Sequence, residues 1–156
     1  MRRPEWSRML FRQLTGTKVE IVDLILAEPF DGIDPSGNPI LSSERTTVSD
    51  PQERQRIQQF LDGGAPILWA RAKSLDLVDR SQGRAVPTIF RSDGQWIWPM
   101  GIGYYLLEYD VPPQTKFLQH IRDCGYVATV PDMPRIKQAI KLLNEISRSE
   151  SKRRAR

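Results

Sequence analysis

The sequence predicts a single α+β domain in which an antiparallel sheet, with a β-hairpin at 85–98, is packed by several helices. Three observations carry that class. Asp93-Gly94 sits between two short runs rich in β-formers, a strong local signal for a hairpin. Asp50-Pro51-Gln52-Glu53 has the form of a helix start, with a capping side chain, a proline and then an acid. Beyond Pro99, three amphipathic segments are separated by Val111-Pro-Pro113 and Gly125. With 156 residues, 39% hydrophobic and 27% charged, the composition is that of one ordinary folded domain. That domain is expected over 1–147, with 148–156 a basic flexible tail.

In chain order, residues 5–14 have the spacing of a short helix ended by Thr15-Gly16, and KVEIVDLILAEPF has the β-branched density of a strand. The second half of that strand is apolar on both faces, which implies cover on both sides. The turn clusters Asp31-Gly32 and Asp34-Pro-Ser-Gly-Asn-Pro39 predict a long loop or irregular hairpin, leading to a short strand near 40–48. Asp31 and Asp34 lack the spacing and the terminal bidentate Glu of a calcium loop, so turn chemistry is the expectation there. The helix from 50 to 62 buries Ile57, Phe60 and Leu61 and ends at Gly63-Gly64. Ala65–Ala72 reads as a strand and Leu75–Val78 as a short strand or turn. Pro87 marks the run 85–90 as an edge or as broken at that point.

The stretch 89–109, IFRSDGQWIWPMGIGYYLLEY, is the centre of the sequence. A two-residue Asp-Gly loop of type I′ would pair Ser92 with Gln95 and Arg91 with Trp96. Ile89, Arg91, Trp96 and Trp98 then share one face, with Phe90 and Ile97 on the other. Arg91 on Trp96 reads as a structural cation–π contact. The competing reading makes Arg91, Trp96 and Trp98 a partner-binding surface, with either indole an anchor only if exposed. Pro99 ends the strand, and Trp98, Ile102, Tyr105, Leu106 and Tyr109 form one helical face. Gly101 and Gly103 weaken that helix by up to about 1 kcal/mol each, so close packing against the hairpin has to compensate. The following helix, 114–124, buries Phe117, Leu118, Ile121 and Cys124. The last opens at Met133-Pro134 and buries Ile136, Ala139, Ile140, Leu143 and Ile146.

The string SDGQWIWP, followed by GYYLLEYDVPP, FLQHIRDCGY and a final helix, resembles small, largely uncharacterised bacterial proteins from neighbourhoods of secreted toxins and their immunity partners. The resemblance covers about residues 50–127 and its motifs are structural, so no site residue is carried over. It implies a protein-binding, immunity-type role.

Net charge is +4, but it is not spread evenly. Residues 147–156 alone contribute all of it through Arg148, Lys152, Arg153, Arg154 and Arg156 against Glu150. The first twelve residues add Arg2, Arg3, Arg8 and Arg12, which leaves the body mildly acidic. Basic ends of this kind are solvated tails or, alternatively, nucleic-acid contacts; docking onto acidic neighbours as a structural subunit is a third reading. The single Cys124 excludes an intramolecular disulfide, and with only His120 beside it the cysteine count argues against a structural zinc site. His120 and Cys124 are four residues apart, yet no nucleophile-loop motif surrounds them. No phosphate loop, serine elbow or metalloprotease motif is present, so neither cofactor nor metal is expected. No run is long and apolar enough to span a membrane, and the opening lacks the apolar core of a signal peptide; a cytoplasmic location is the expectation. The functional expectation is therefore a non-enzymatic protein-binding module.

Overall fold

The structure is a computed structural model that describes residues 24–68 and 72–154; the expected helix at 5–14 and the first part, 18–23, of the expected strand at 18–30 lie outside them. The described residues form one α+β domain. Strand β1 is Ile25–Leu26, and β2 (Gly32–Ile33) and β3 (Pro39–Ile40) make a small antiparallel ribbon. Helix α1, Pro51–Gly63, leads into β4, Ala65–Leu68. Then β5 (Ser74–Leu75) pairs with β6 (Arg84–Val86) around a 3₁₀ turn at Arg80–Gln82. The hairpin strands β7 (Phe90–Ser92) and β8 (Trp96–Pro99) are followed by α2 (Gly101–Tyr109), α3 (Thr115–Asp123) and α4 (Met133–Arg154).

The main sheet runs β1-β8-β7-β4. It is mixed rather than purely antiparallel, because β1 lies parallel to β8, pairing Ile25 with Trp96 and Leu26 with Ile97. The long excursion between β1 and β8 makes a parallel neighbour possible, which a tight turn could not do. Side chains alternate across this sheet, and both faces are covered. Trp96 and Trp98 face α1, α2 and α3, in a core with Ile57, Phe60, Leu106, Phe117 and Ile121. Ile97 and Phe90 face α4, packing with Leu24, Leu26, Ile67, Ala139 and Leu143. Ile25 is exposed on its edge strand, so the expected two-sided cover of that strand holds at Leu24, Leu26 and Ala27 but not there.

The hairpin is built by a different turn from the expected one. Ser92 pairs with Ile97 and Arg91 with Trp98, so the register differs by two residues from a two-residue loop. Gly94 has φ +93, but Asp93 is not among the positive-φ residues, which a type I′ turn would require. Instead the Asp93 carboxylate folds inward: its Oδ1 accepts from Gln95 N at 3.0 Å and from Trp96 N at 2.9 Å. That side-chain bond mimics a backbone turn and widens the loop. A shift of two preserves the faces, so the predicted partition of indoles and Ile97 survives the wrong register.

Asp50 caps α1 by accepting from Gln52 N at 2.9 Å, with Pro51 at the first helical position. Glu53 does not close a capping box; its carboxylate is taken by Arg122 and Tyr126. In α2 the two glycines are sites of contact. A Cβ on Gly101 would lie 2.9 Å from Val86, and one on Gly103 would fall on the Gln58 amide of α1. Pro87 marks a break, as expected: β6 ends at Val86, joins β5, and β7 starts only at Phe90. The 30–49 region is irregular beyond its ribbon. There Asp34 caps its own turn, accepting from Ser36 N and Asn38 N, while Asp31 pairs with Arg45 at 3.1 Å.

Gly64 carries the tightest packing demand. Its backbone is ordinary extended chain, φ −70 and ψ 156, so no torsion requires glycine. A Cβ there would press into the Trp98 ring and come within 3.1 Å of the Ser92 carbonyl. Gly64→Ala is expected to cost about 1–3 kcal/mol, the usual range for overpacking a filled core. Urea unfolding followed by tryptophan fluorescence checks this; unchanged stability would mean the indole can move aside.

Candidate functional site

The three residues singled out as a partner surface are brought together, but not at the surface. Trp98 is 0% exposed and its indole N–H donates to Leu61 O at 3.1 Å. Trp96 is also buried, stacked near Phe117 at a centroid distance of 5.0 Å and near His120 at 5.9 Å. Arg91 is half-buried opposite Trp98 rather than stacked on Trp96, and its Nη1 donates to Gly64 O at 2.8 Å. The condition that made either indole an anchor is not met: both fill the core. Their β-former pattern was legible; which side of the sheet the helices would cover was not.

The basic C-terminal residues are placed differently from a flexible tail. Helix α4 continues through Arg154, so Arg148, Lys152 and Arg153 are helical and exposed, while Arg156 lies outside the described residues, as do Arg2, Arg3, Arg8 and Arg12. The apolar stripe of α4, Ile136, Ala139, Leu143 and Ile146, faces the sheet. On its opposite face Lys137, Lys141, Arg148 and Lys152 are all exposed and lie at helical spacing. The stripe spans about 22 Å at 1.5 Å per residue. Lys137 and Lys141 lie away from the basic chain ends, and their spacing of four is the signal the sequence carries for them.

A third cluster joins two elements. Asp93, His120 and Cys124 place one ligand-type atom each within 4.8 Å of one another. His120 Nε2 lies 2.6 Å from Asp93 Oδ2 and 3.6 Å from Cys124 Sγ. Asp93 is buried, His120 nearly so, and Cys124 half-buried. This is not the arrangement of a nucleophilic thiol, where base and orienting acid use opposite ring nitrogens. Here the carboxylate takes Nε2, and the sulfur, 3.6 Å from Nε2 and 3.9 Å from Nδ1, is aligned on neither nitrogen. Burial, followed by the charges of Asp93 and Asp123, pushes the Cys124 thiol up from its ordinary value of 9.0, which disfavours the thiolate. The sequence offered His120 and Cys124 at a helical spacing; the hairpin turn adds Asp93.

Two further carboxylates are fully engaged. Asp76 is completely buried, with Oδ2 accepting from Tyr104 at 2.7 Å and Tyr109 at 2.5 Å, and Oδ1 from Val78 N and Asp79 N, each at 2.9 Å. Burial alone would raise its pKa, but these hydrogen bonds together hold it below the usual carboxylate range. Glu53 accepts from Arg122 and from the Tyr126 hydroxyl, and that pairing holds it at about 2. Glu28 is the opposite case. It lines a cleft of about 690 Å³ with Phe30, Leu77, Val86 and Tyr105. Burial first, then Glu150 and Asp31, push it up to about 7 against a smaller lowering by Arg45.

No family model, curated protein or solved structure matches the chain. Among the described residues no helix is long and apolar enough to cross a membrane.

The two shifted glutamates give slopes of opposite sign. Glu53 has a lowered pKa in the fold, so its contribution is present above 4.5 and is lost as pH falls towards about 2. Glu53→Gln is expected to destabilise by about 1–3 kcal/mol at pH 6, from the lost charged hydrogen bonds, and by progressively less as pH drops below 4.5. Glu28 has a raised pKa, so its ionisation opposes folding increasingly from pH 4.5 up to about 7. Glu28→Gln should remove that decline, with urea midpoints across pH 4 to 8 as the measurement. A decline that persists in Glu28→Gln would place its origin elsewhere.

Proposed function

We propose that this chain is a non-enzymatic binding module whose partner is another protein, in the manner of an immunity-type inhibitor. The observation that carries the reading is the segment between α3 and α4. Val127 and Val130 are each 70% exposed and Met133 is 61% exposed. They do not sit on a loose loop. Gly125 and Tyr126 reverse the chain with φ +63 and +62, Ala128 packs onto the core beside Gly63, and Pro131 lies against Gly94. Large aliphatic side chains held outward by an anchored backbone are what an interface presents, since little entropy is lost when they are covered.

The chemistry around the segment defines the partner. Exposed Asp132 lies within the segment, Asp123 just before it and Asp62 next to Gly63, which Ala128 approaches, while Arg56 stands over Tyr126; the inferred partner has an apolar centre and a mainly basic rim. A mildly acidic body meeting a basic cleft would gain association rate as well as affinity. The resemblance to immunity-type proteins supports the same reading. Its test combines recovery with substitution. The tagged chain, passed through nuclease-treated and high-salt arms, should retain one protein in both. Val127→Asp and Val130→Asp should each weaken its capture at least about tenfold, the scale of an interface anchor, with stability unchanged within about 0.5 kcal/mol. A partner that binds both variants as well as the wild type would overturn the proposal.

The exposed stripe Lys137, Lys141, Arg148 and Lys152 favours a second reading, contact with nucleic acid. It predicts affinity for a random duplex that falls with salt, with a log–log slope of about −3 to −4 for four phosphate contacts. Lys141→Glu with Arg148→Glu should then abolish the slope, while the aspartate variants above leave it untouched.

A further inference from the structure

We propose that Asp93, His120 and Cys124 form a zinc site where the hairpin turn meets the C-terminal end of α3. It stands independently of the protein-binding reading. The geometry has a feature that hydrogen bonding alone does not use. The Asp93 oxygen occupies Nε2 at 2.6 Å, while the sulfur lies 3.6 Å from Nε2 and 3.9 Å from Nδ1 and is aligned on neither nitrogen. A single N–H can serve only one of them well, whereas a metal between them serves all three. The nitrogen–sulfur spacing equals the separation of about 3.5 Å between such ligands on tetrahedral zinc, given Zn–S near 2.3 Å and Zn–N near 2.05 Å. To share a metal, the carboxylate oxygen must give up its 2.6 Å contact with Nε2 and the sulfur must turn towards that nitrogen.

That oxygen has the His120 ring as its partner, a contact a metal would replace. Asp93 Oδ1 is held by Gln95 N and Trp96 N, which anchors the carboxylate through one oxygen and leaves Oδ2 as a monodentate donor. The contrast with Asp76 is direct, since both of its oxygens are filled by its own chain. His120 and Cys124 sit one helical turn apart on one face of α3, and the rings of Trp96 and Phe60 lie 5.9 Å from the imidazole and hold it in place. A donor set of sulfur, nitrogen and oxygen suits zinc over magnesium or calcium, which take oxygen alone. Three protein donors leave a fourth position for water or for a group from outside.

The test uses the tag-free full chain, purified reduced and stripped of metal. Zinc competition against a chromophoric chelator should show one equivalent bound with submicromolar affinity. Cobalt(II) should give a thiolate-to-metal charge-transfer band and the visible absorption of a tetrahedral ion. Cys124→Ser should remove the charge-transfer band, and His120→Ala should weaken zinc at least about tenfold. Asp93→Asn, accepted only if circular dichroism shows the native fold, should do the same. Zinc should also raise the melting temperature of the wild type and not of Cys124→Ser. No saturable binding, cobalt without the charge-transfer band, or equal zinc affinity in Cys124→Ser and His120→Ala would each overturn the proposal.

Discussion

The burial of Trp98 is the constraint on which the other parts depend. A fully enclosed indole has one polar atom, and an unpaired N–H in an apolar core is costly. Its partner is the Leu61 carbonyl near the end of α1, so that helix must stop where it does and approach closely enough for the bond. The approach leaves no space at Gly64 for a side chain. Phe60 and Phe117 then close over the ring, at centroid distances of 5.2 and 5.6 Å, which fixes α1 and α3 relative to the sheet. Arg91, across the strand, ties to the same glycine.

Around that core the buried carboxylates act as cross-links, each joining stretches far apart in sequence. Asp76 ties the β5 turn to α2, Glu53 ties α1 to α3 and to Tyr126, and Asp93 ties the hairpin to α3. In each case an acid that would be expensive alone is held by donors from another element. The difference lies in how completely. Asp76 is saturated, Glu53 meets a guanidinium and a phenol, and Asp93 keeps one oxygen turned towards a nitrogen and a sulfur.

What was legible in the sequence follows from range. Asp50-Pro51, the stripe Ile57, Phe60 and Leu61, the break at Pro87 and the helices after Pro99 depend on neighbours within a turn or two, and local chemistry settles them. The faces of the hairpin were legible because alternation by two is insensitive to the loop. The loop itself was not, because Asp93 spends its side chain on backbone amides instead of adopting a left-handed backbone. Glu53 has the local pattern of a cap, but its partner Arg122 lies 69 residues away, beyond the reach of a local pattern. The parallel placement of β1, the burial of both indoles and the assembly of Asp93 with His120 and Cys124 are all products of packing. The extension of α4 past Ile146 was hidden by its polar composition, since a helix that is already nucleated and docked can continue through residues that would not start one.

The hairpin loop decides which side of the sheet each of its side chains reaches. Two loops differing by two residues would carry Trp96 and Trp98 to the same side of the sheet, so length there is free in even steps. An odd step would turn both indoles towards α4 and Ile97 towards the aromatic core, exchanging the contents of two filled compartments at once. A slip in this register is therefore governed by parity rather than by size, and a one-residue slip is a larger change than a two-residue one.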